Sequence, residues 1–199
     1  MRRLPLFPRL GPLLVLALVP LGTATVAFST TPTVSYETSP TVVVASLREV
    51  LGEMADADPG PSLRIFGDGR LEVHRPPYMQ QAGDWTDQLS ADEMQVVLGA
   101  LVADGLLDLD AATARANLTA ARHRARAAAL AGEAPLLEAS DTGVTTITLA
   151  VEGRSQTIVW RGLRADAFVN PDVREVQQAR RAQETLLLLM DRPGLRRAR

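Results

Sequence analysis

The chain has 199 residues, 46% of them hydrophobic, and its formal net charge at pH 7 is −2. This length suits one globular domain with flanking segments, and the charge argues against a nucleic-acid-binding protein, which would carry a basic excess. Cysteine is absent, which excludes disulfides, thiolate metal sites, a cysteine nucleophile and a lipidated cysteine. All 21 basic residues are arginine, a bias typical of proteins from GC-rich bacterial genomes.

Residues 1–27 have the three-part pattern of a secretory signal peptide. Three arginines and no acidic residue precede a short apolar run, and small residues up to Ala27 suit cleavage. The alternative is an uncleaved membrane anchor with membrane contact through residues 10–28, although Pro12 and Pro20 disfavour a spanning helix. In both cases the basic start stays in the cytoplasm. We therefore expect a periplasmic or secreted protein, or else one anchored in the inner membrane and facing the periplasm.

Residues 28–40 are rich in Ser, Thr and Pro without an apolar period, which predicts a flexible spacer. A single α+β domain is expected over residues 41–193, and it opens with a β-branched strand at residues 41–45. The next residues contain a serine and a glutamate at the spacing of a helix capping box. They are compatible with either a short helix or a continuation of the strand to Val50.

Residues 62–75 predict a β-hairpin in which the register decides the turn. A three-residue loop at residues 67–69, ending in a left-handed glycine, places apolar side chains on one face. The same register pairs Arg64 with Glu72 across the strands. A two-residue turn at Asp68 and the following glycine would mix the two faces, so the three-residue loop is the prediction.

Residues 76–89 predict a long loop between this hairpin and the next helix. The loop bears Tyr78 and Trp85, half of the tyrosine and tryptophan in the chain. Aromatic residues on a loop can form a binding surface. Folding back over an open sheet is the commoner arrangement, and it is the one we expect.

Two amphipathic helices are predicted to cover the sheet. The first, residues 91–104, begins with a capping box formed by Ser90 and Glu93, followed by a single apolar stripe. The second, residues 171–190, has Asn170 as its expected N-cap and a proline at its first position. Its valines and leucines give it an inward-facing stripe.

Residues 111–132 are rich in alanine and arginine and predict a helix with almost no apolar face. We expect a solvated helical insertion between the two halves of the sheet. The alternative is a basic arm that binds anionic lipid or nucleic acid through Arg122, Arg124 and Arg126. Residues 194–199 are expected to form a short basic tail after the second amphipathic helix.

Residues 144–161 predict a second β-hairpin, around a two-residue turn at Glu152 and Gly153 that sets Val151 opposite Arg154. Because side chains alternate along a strand, this register places the apolar side chains on one face and the hydroxyl-bearing ones on the other. The predicted apolar face consists of Ile147, Leu149, Val151, Ile158 and Trp160. The expected fold class is α+β, with a largely antiparallel sheet of two hairpins plus one strand, two packing helices and the Ala/Arg-rich insertion.

This order of elements resembles a class of uncharacterised exported bacterial α+β domains. The resemblance is carried by the Gly-Asp-Gly hairpin at residues 66–71, the capped helix at 89–107, and the second hairpin with its entry at 141–160. It implies the same fold and export from the cytoplasm, with residues 111–132 as an insertion. The class has no assigned activity, so the resemblance implies no function.

The tripeptide Asp141-Thr142-Gly143 is the catalytic signature of aspartic proteases. Those enzymes need two such aspartates sharing one proton, and the chain has one copy, so catalysis would require a homodimer. The flanking residues differ from the protease pattern, and an Asp-Thr-Gly turn leading into a strand is ordinary loop chemistry. A carboxylate-dependent hydrolase, including a homodimeric Asp141 protease, is one alternative function.

No Gly-rich phosphate loop, nucleophile elbow or paired-histidine metal motif occurs in the sequence. The sequence therefore assigns no catalytic, metal or binding residues and no cofactor. The favoured hypothesis is a non-catalytic binding or structural module of the bacterial envelope or periplasm, with an unidentified protein partner and no nucleic acid. The second alternative to it is a membrane-associated protein that retains its N-terminal anchor.

Overall fold

The computed structural model describes residues 33–50, 60–133 and 143–198, which belong to one compact unit. The predicted leader at residues 1–27 lies outside the described residues, as do Asp141 and Thr142. None of the helices in the described ranges combines the length and apolarity needed to cross a membrane.

The described residues form one antiparallel sheet and four α-helices. The strands are β1 (Val43–Val50), β2 (Ser62–Phe66), β3 (Arg70–Arg75), β4 (Gly83–Gln88), β5 (Val144–Val151), β6 (Arg154–Arg161) and β7 (Arg196–Arg197). The helices are α1 (Ala91–Ala103), α2 (Ala111–Leu130), α3 (Leu163–Val169) and α4 (Arg174–Met190), with a 3₁₀ turn at Leu106–Asp108. The strand order is β6-β5-β1-β2-β3-β4-β7. The predicted α+β fold is confirmed, and its sheet has two more strands than expected.

Both predicted hairpins have the expected register. In the β5–β6 hairpin, Glu152 and Gly153 have φ angles of 55° and 67°, as a two-residue turn between twisted strands requires. In the β2–β3 hairpin, Gly69 has φ of 85°, and Arg64 lies opposite Glu72 with a nitrogen–oxygen distance of 2.7 Å. The sorting of side chains into two faces was therefore sufficient to determine both turns.

The hydrophobic core lies between one face of the sheet and helices α1 and α4. Its largest fully buried side chains come from both layers: Leu47, Leu63, Ile65, Leu71, Ile147 and Leu149 from the strands, and Met94, Leu98, Leu101, Leu106, Leu163 and Leu186 from the helices and the 3₁₀ turn. The opposite face carries half-buried or exposed polar side chains, including the hydroxyl pair of Thr148 and Thr157 at 3.2 Å. The sheet thus has one apolar and one polar face.

The C-terminal end of β1 distinguishes between the two structures predicted there, and the segment before β1 contacts helix α1. β1 continues to Val50, so the alternative of a continuing strand is confirmed over residues 47–50. Before β1, Val34 is buried, and its N–H and C=O both bond to the side chain of Gln95 in α1 at 2.8 and 3.0 Å. The described part of the predicted spacer therefore packs against the domain.

The prediction of a long loop at residues 76–89 was wrong, because this segment contains β4. Gly83–Gln88 pairs with β3 along its whole length. Trp85 is half-buried against the core, and the Arg75 guanidinium carbon lies 5.3 Å from its ring centroid. The residues Gly-Asp-Trp-Thr-Asp-Gln lack an apolar alternation, so the strand results from pairing with its neighbours and not from local propensity.

The C-terminal region also differs from the prediction. The helix expected at residues 171–190 begins at Arg174, and a separate helix, α3, precedes it. Asn170 does not cap α4, because its side-chain amide donates to the carbonyl of Asp166 in α3 at 3.0 Å. The basic tail expected at residues 194–199 contains β7, which pairs with β4.

Candidate functional site

The predicted Ala/Arg-rich insertion is the 20-residue helix α2. Its N-cap is Asp110, whose carboxylate accepts hydrogen bonds from the Thr113 hydroxyl and from backbone N–H groups of the first turn. These bonds, led by the one from Thr113, hold the pKa of Asp110 below its ordinary value. Only Ala114 and Leu118 are buried along α2. Helix α2 is therefore capped at its N-terminus, but only two of its side chains are buried against the rest of the domain.

A cleft of about 650 Å³ lies between α2, strand β6 and helix α3. Its apolar lining includes four side chains that are at most 9% exposed, namely Leu109, Leu118, Ile158 and Trp160. Its polar lining comes mainly from charged side chains, namely Arg115, Arg122, Arg126, Arg161 and Asp166. Among the described residues that line the cleft, four arginines against one aspartate give a net charge of +3. The cleft is therefore strongly basic, although the whole chain carries a net charge of −2.

Asp166 is the buried carboxylate of the cleft, with its side chain 11% exposed. Its Oδ1 accepts from Arg122 Nη2 at 2.7 Å, and its Oδ2 accepts from Trp160 Nε1 at 2.9 Å. Because both oxygens already accept hydrogen bonds, this carboxylate is suited to positioning the arginine and the tryptophan.

Two further arginines of the cleft have exposed guanidinium groups. Arg126 and Arg161 make no hydrogen bond or ion pair through their side chains with any residue in the described ranges. Arg122 is committed to Asp166, yet its side chain remains 60% exposed. The cleft thus presents cations that the described part of the protein does not neutralise, and an anionic ligand could approach them.

The three arginines of the predicted basic arm do not all line the cleft. Arg122 and Arg126 line the cleft together, whereas Arg124 is not among the lining residues. Residues four apart lie on one face of a helix, and residues two apart do not. The spacing of Arg115, Leu118, Arg122 and Arg126 could have revealed this face from the sequence. The sequence did not predict Arg161 and Asp166 as part of this site, because they lie in β6 and α3 and not in α2.

A second cleft, of about 490 Å³, is lined by residues of β2, β3 and β4. Its polar side chains pair with each other: Arg64 forms an ion pair with Glu72, and His74 Nδ1 lies within hydrogen-bonding distance of Asp84 Oδ1, both at 2.7 Å. Because these groups are already paired locally, the cleft beside α2 is the stronger candidate for a charged ligand.

The Asp141-Thr142-Gly143 motif lies outside the described residues except for its glycine. The carbonyl of Gly143 accepts from the N–H of Gly162 at 2.8 Å, which extends the β5–β6 pairing.

Across the described ranges, no group of three or more His, Cys, Asp or Glu side chains is arranged to hold a metal ion. No protein-family model, curated protein or solved structure matches the chain.

Proposed function

We propose that the protein is a non-catalytic binding module, exported to the bacterial periplasm, whose cleft beside α2 holds an acidic segment of a protein partner. The single observation that carries this proposal is the net charge of +3 among the described lining residues of the cleft. Like charges held together in a concave site repel one another and raise the local potential, which favours the binding of an anion. The one carboxylate of the cleft, Asp166, is already hydrogen-bonded to Arg122 and Trp160.

The shape and apolar lining of the cleft favour a polypeptide over a membrane or a nucleic acid. Trp160 and Leu118 provide apolar surface for the aliphatic parts of side chains. A bilayer or a duplex presents a broad charged surface, so it would engage Arg124 together with the arginines of the cleft. A segment seated inside the cleft would contact Arg122 and Arg126 but not Arg124. These three positions therefore discriminate between the two kinds of ligand.

The test is a titration of the purified full chain with a fluorescein-labelled octapeptide of alternating aspartate and valine, followed by fluorescence anisotropy at low and high salt. We expect Arg126→Gln and Arg161→Gln each to weaken binding about tenfold, as loss of a charge-assisted contact does. Raising the salt should weaken binding by the wild type. Because both side chains are exposed, we expect the free energy of unfolding to change by less than about 0.5 kcal/mol.

The matched control is Arg124→Gln, which removes the same charge from the same helix outside the cleft. We expect its affinity to equal that of the wild type. If Arg124→Gln weakens binding as much as Arg126→Gln does, attraction is diffuse and the cleft is not the site. If the peptide does not bind but vesicles of anionic lipid do, the membrane hypothesis replaces this proposal.

Export is proposed on the leader-like pattern of residues 1–27. We expect the protein expressed in a Gram-negative host to be recovered from the periplasm with a mature N-terminus near Phe28. N-terminal sequencing of fractionated cells measures this directly. An intact Met1 in the membrane fraction would instead support the retained anchor.

A further inference from the structure

Among the described strands, β6 is at one edge of the sheet and pairs only with β5. The two-residue turn makes Val151 and Arg154 a hydrogen-bonded pair, so alternate residues from Arg154 onward direct their backbone N–H and C=O groups toward β5. The bond from the Gly162 N–H to the Gly143 carbonyl continues this pattern. The intervening residues therefore direct their backbone groups away from the sheet; they are Ser155, Thr157, Val159 and Arg161.

The outward backbone groups of Val159 and Arg161 face the cleft. Four consecutive residues, 158–161, all line it. Because neighbouring side chains of a strand project from opposite faces, a cavity that reaches all four lies along the edge of the strand. No described residue forms a hydrogen bond with the backbone N–H or C=O of Val159 or Arg161. The cleft therefore contains an unpaired strand edge.

Resting on the proposed function, we infer that the acidic segment binds in an extended conformation and adds as an eighth strand along the part of β6 that lines the cleft, residues 158–161. An unpaired edge provides backbone donors and acceptors at the spacing of a strand, and the addition of a peptide strand to a sheet edge is an established mode of recognition. Helix α2 then flanks the added strand. Its arginines at positions 115, 122 and 126 supply the charge selection, while the backbone of β6 supplies the pairing.

A second copy of this chain is the other occupant that a free edge attracts. A second copy would pair through the outward-facing residues of β6. Because β6 contains two arginines and no acidic residue, that pairing would add positive charge to a cleft whose described lining already carries a net charge of +3. Charge complementarity therefore favours an acidic strand from a different protein.

The alternation of side chains also specifies the sequence of the ligand. In an added strand, every second side chain faces α2 and the others face the opposite side of the sheet. Acidic residues at alternate positions would meet the arginines of α2. The positions between them would lie on the face that Val159 shares with Arg161, where an apolar residue fits beside the exposed side chain of Val159. This is the reason for choosing alternating aspartate and valine as the probe.

The test compares two proline variants of β6 with the octapeptide probe and the full chain. Val159→Pro removes an outward N–H inside the cleft without removing a bond to β5, and proline is tolerated at strand edges. We expect it to weaken binding at least about fivefold, since the peptide loses a backbone hydrogen bond. Ser155→Pro is the matched control, because it removes an outward N–H of the same edge outside the cleft. Its affinity should stay within about twofold of the wild type, because the peptide loses no contact.

A second measurement does not depend on how the variants fold. We expect the saturating peptide to slow hydrogen exchange of the Val159 and Arg161 amides in the wild-type chain. If exchange is unchanged and Val159→Pro binds normally while Arg126→Gln still weakens binding, strand addition is wrong and the proposed function stands. If the wild-type chain does not bind the octapeptide at all, both proposals fail.

Discussion

Helices α2 and α4 have similar lengths, 20 and 17 residues, but they are attached to the domain in different ways. α4 buries seven residues against the sheet and its neighbours, whereas α2 buries two. Both sequences favour a helix, so propensity does not distinguish them. The difference is the apolar stripe, which in α4 packs on the core and in α2 is mostly replaced by alanine and arginine. Helix length is therefore a poor measure of the contribution to stability, which comes from the buried face.

The polar contacts of the two helices show the same contrast. In α4, Gln183 is fully buried and its side-chain amide donates to Glu49 and, at 3.2 Å, to the hydroxyl of Thr145. Apart from the bond from Arg122 to the buried Asp166, the polar contacts of α2 lie near the surface, as in the bond from Asn117 to Glu175 at 3.2 Å. A buried polar side chain that is fully bonded specifies one packing arrangement. α4 thus fixes the sheet, and α2 is free to present a binding surface.

The largest expected effect compares one leucine from each helix. Leu186→Ala in α4 should lower the free energy of unfolding by about 3 kcal/mol, because a fully buried side chain leaves a closed cavity. Leu118→Ala in α2 should cost about 1 kcal/mol, since its space opens into the cleft and water can enter. Urea unfolding followed by far-ultraviolet circular dichroism measures both values.

The same two variants also test whether α2 serves binding and α4 serves stability. Leu118→Ala should weaken binding of the acidic octapeptide, because the side chain lines the cleft. Leu186→Ala should leave the affinity of the remaining folded protein unchanged. Equal losses of stability from the two variants would show that α2 belongs to the core as much as α4 does, and the contrast between the helices would be wrong.

The parts of the fold that could be predicted are those where local sequence and tertiary environment agree. Alternation gave the β5–β6 register, and the capping box of Ser90 and Glu93 gave the start of α1, which the structure confirms. β4 could not be predicted, because its residues form a strand through pairing with β3 and β7. The start of α4 was misplaced because Asn170 resembles an N-cap but bonds back to α3.

The candidate site was predictable only where it lies on one helix. Arg122 and Arg126 share a face at a spacing of four residues, which the sequence shows directly. Arg161 and Asp166 join them only because β6 and α3 pack beside α2, a relation between distant parts of the chain. The free edge of β6 follows from the strand order, which no local pattern encodes.

The smallest expected effect concerns Asp110, the N-cap of α2, and it is a dependence on pH. Hydrogen bonds from Thr113 and the first turn lower the pKa of this carboxyl below its ordinary value of 3.8. A lowered pKa stabilises the folded state above the ordinary value, and this contribution is lost as the pH falls through the lowered pKa. Asp110→Asn keeps an N-cap side chain but removes the charge that the helix N-terminus favours.

The wild type should therefore melt at a higher temperature than Asp110→Asn at pH 7, and the difference should shrink as the pH falls below 3.8. Asp172→Asn is the control, because this exposed carboxylate accepts no hydrogen bond from a described residue and its variant should show a smaller difference. Equal melting temperatures for wild type and Asp110→Asn at pH 7 would mean that packing alone holds α2. Because α2 buries only Ala114 and Leu118, its cap is one of the few contacts that keep the wall of the cleft in place.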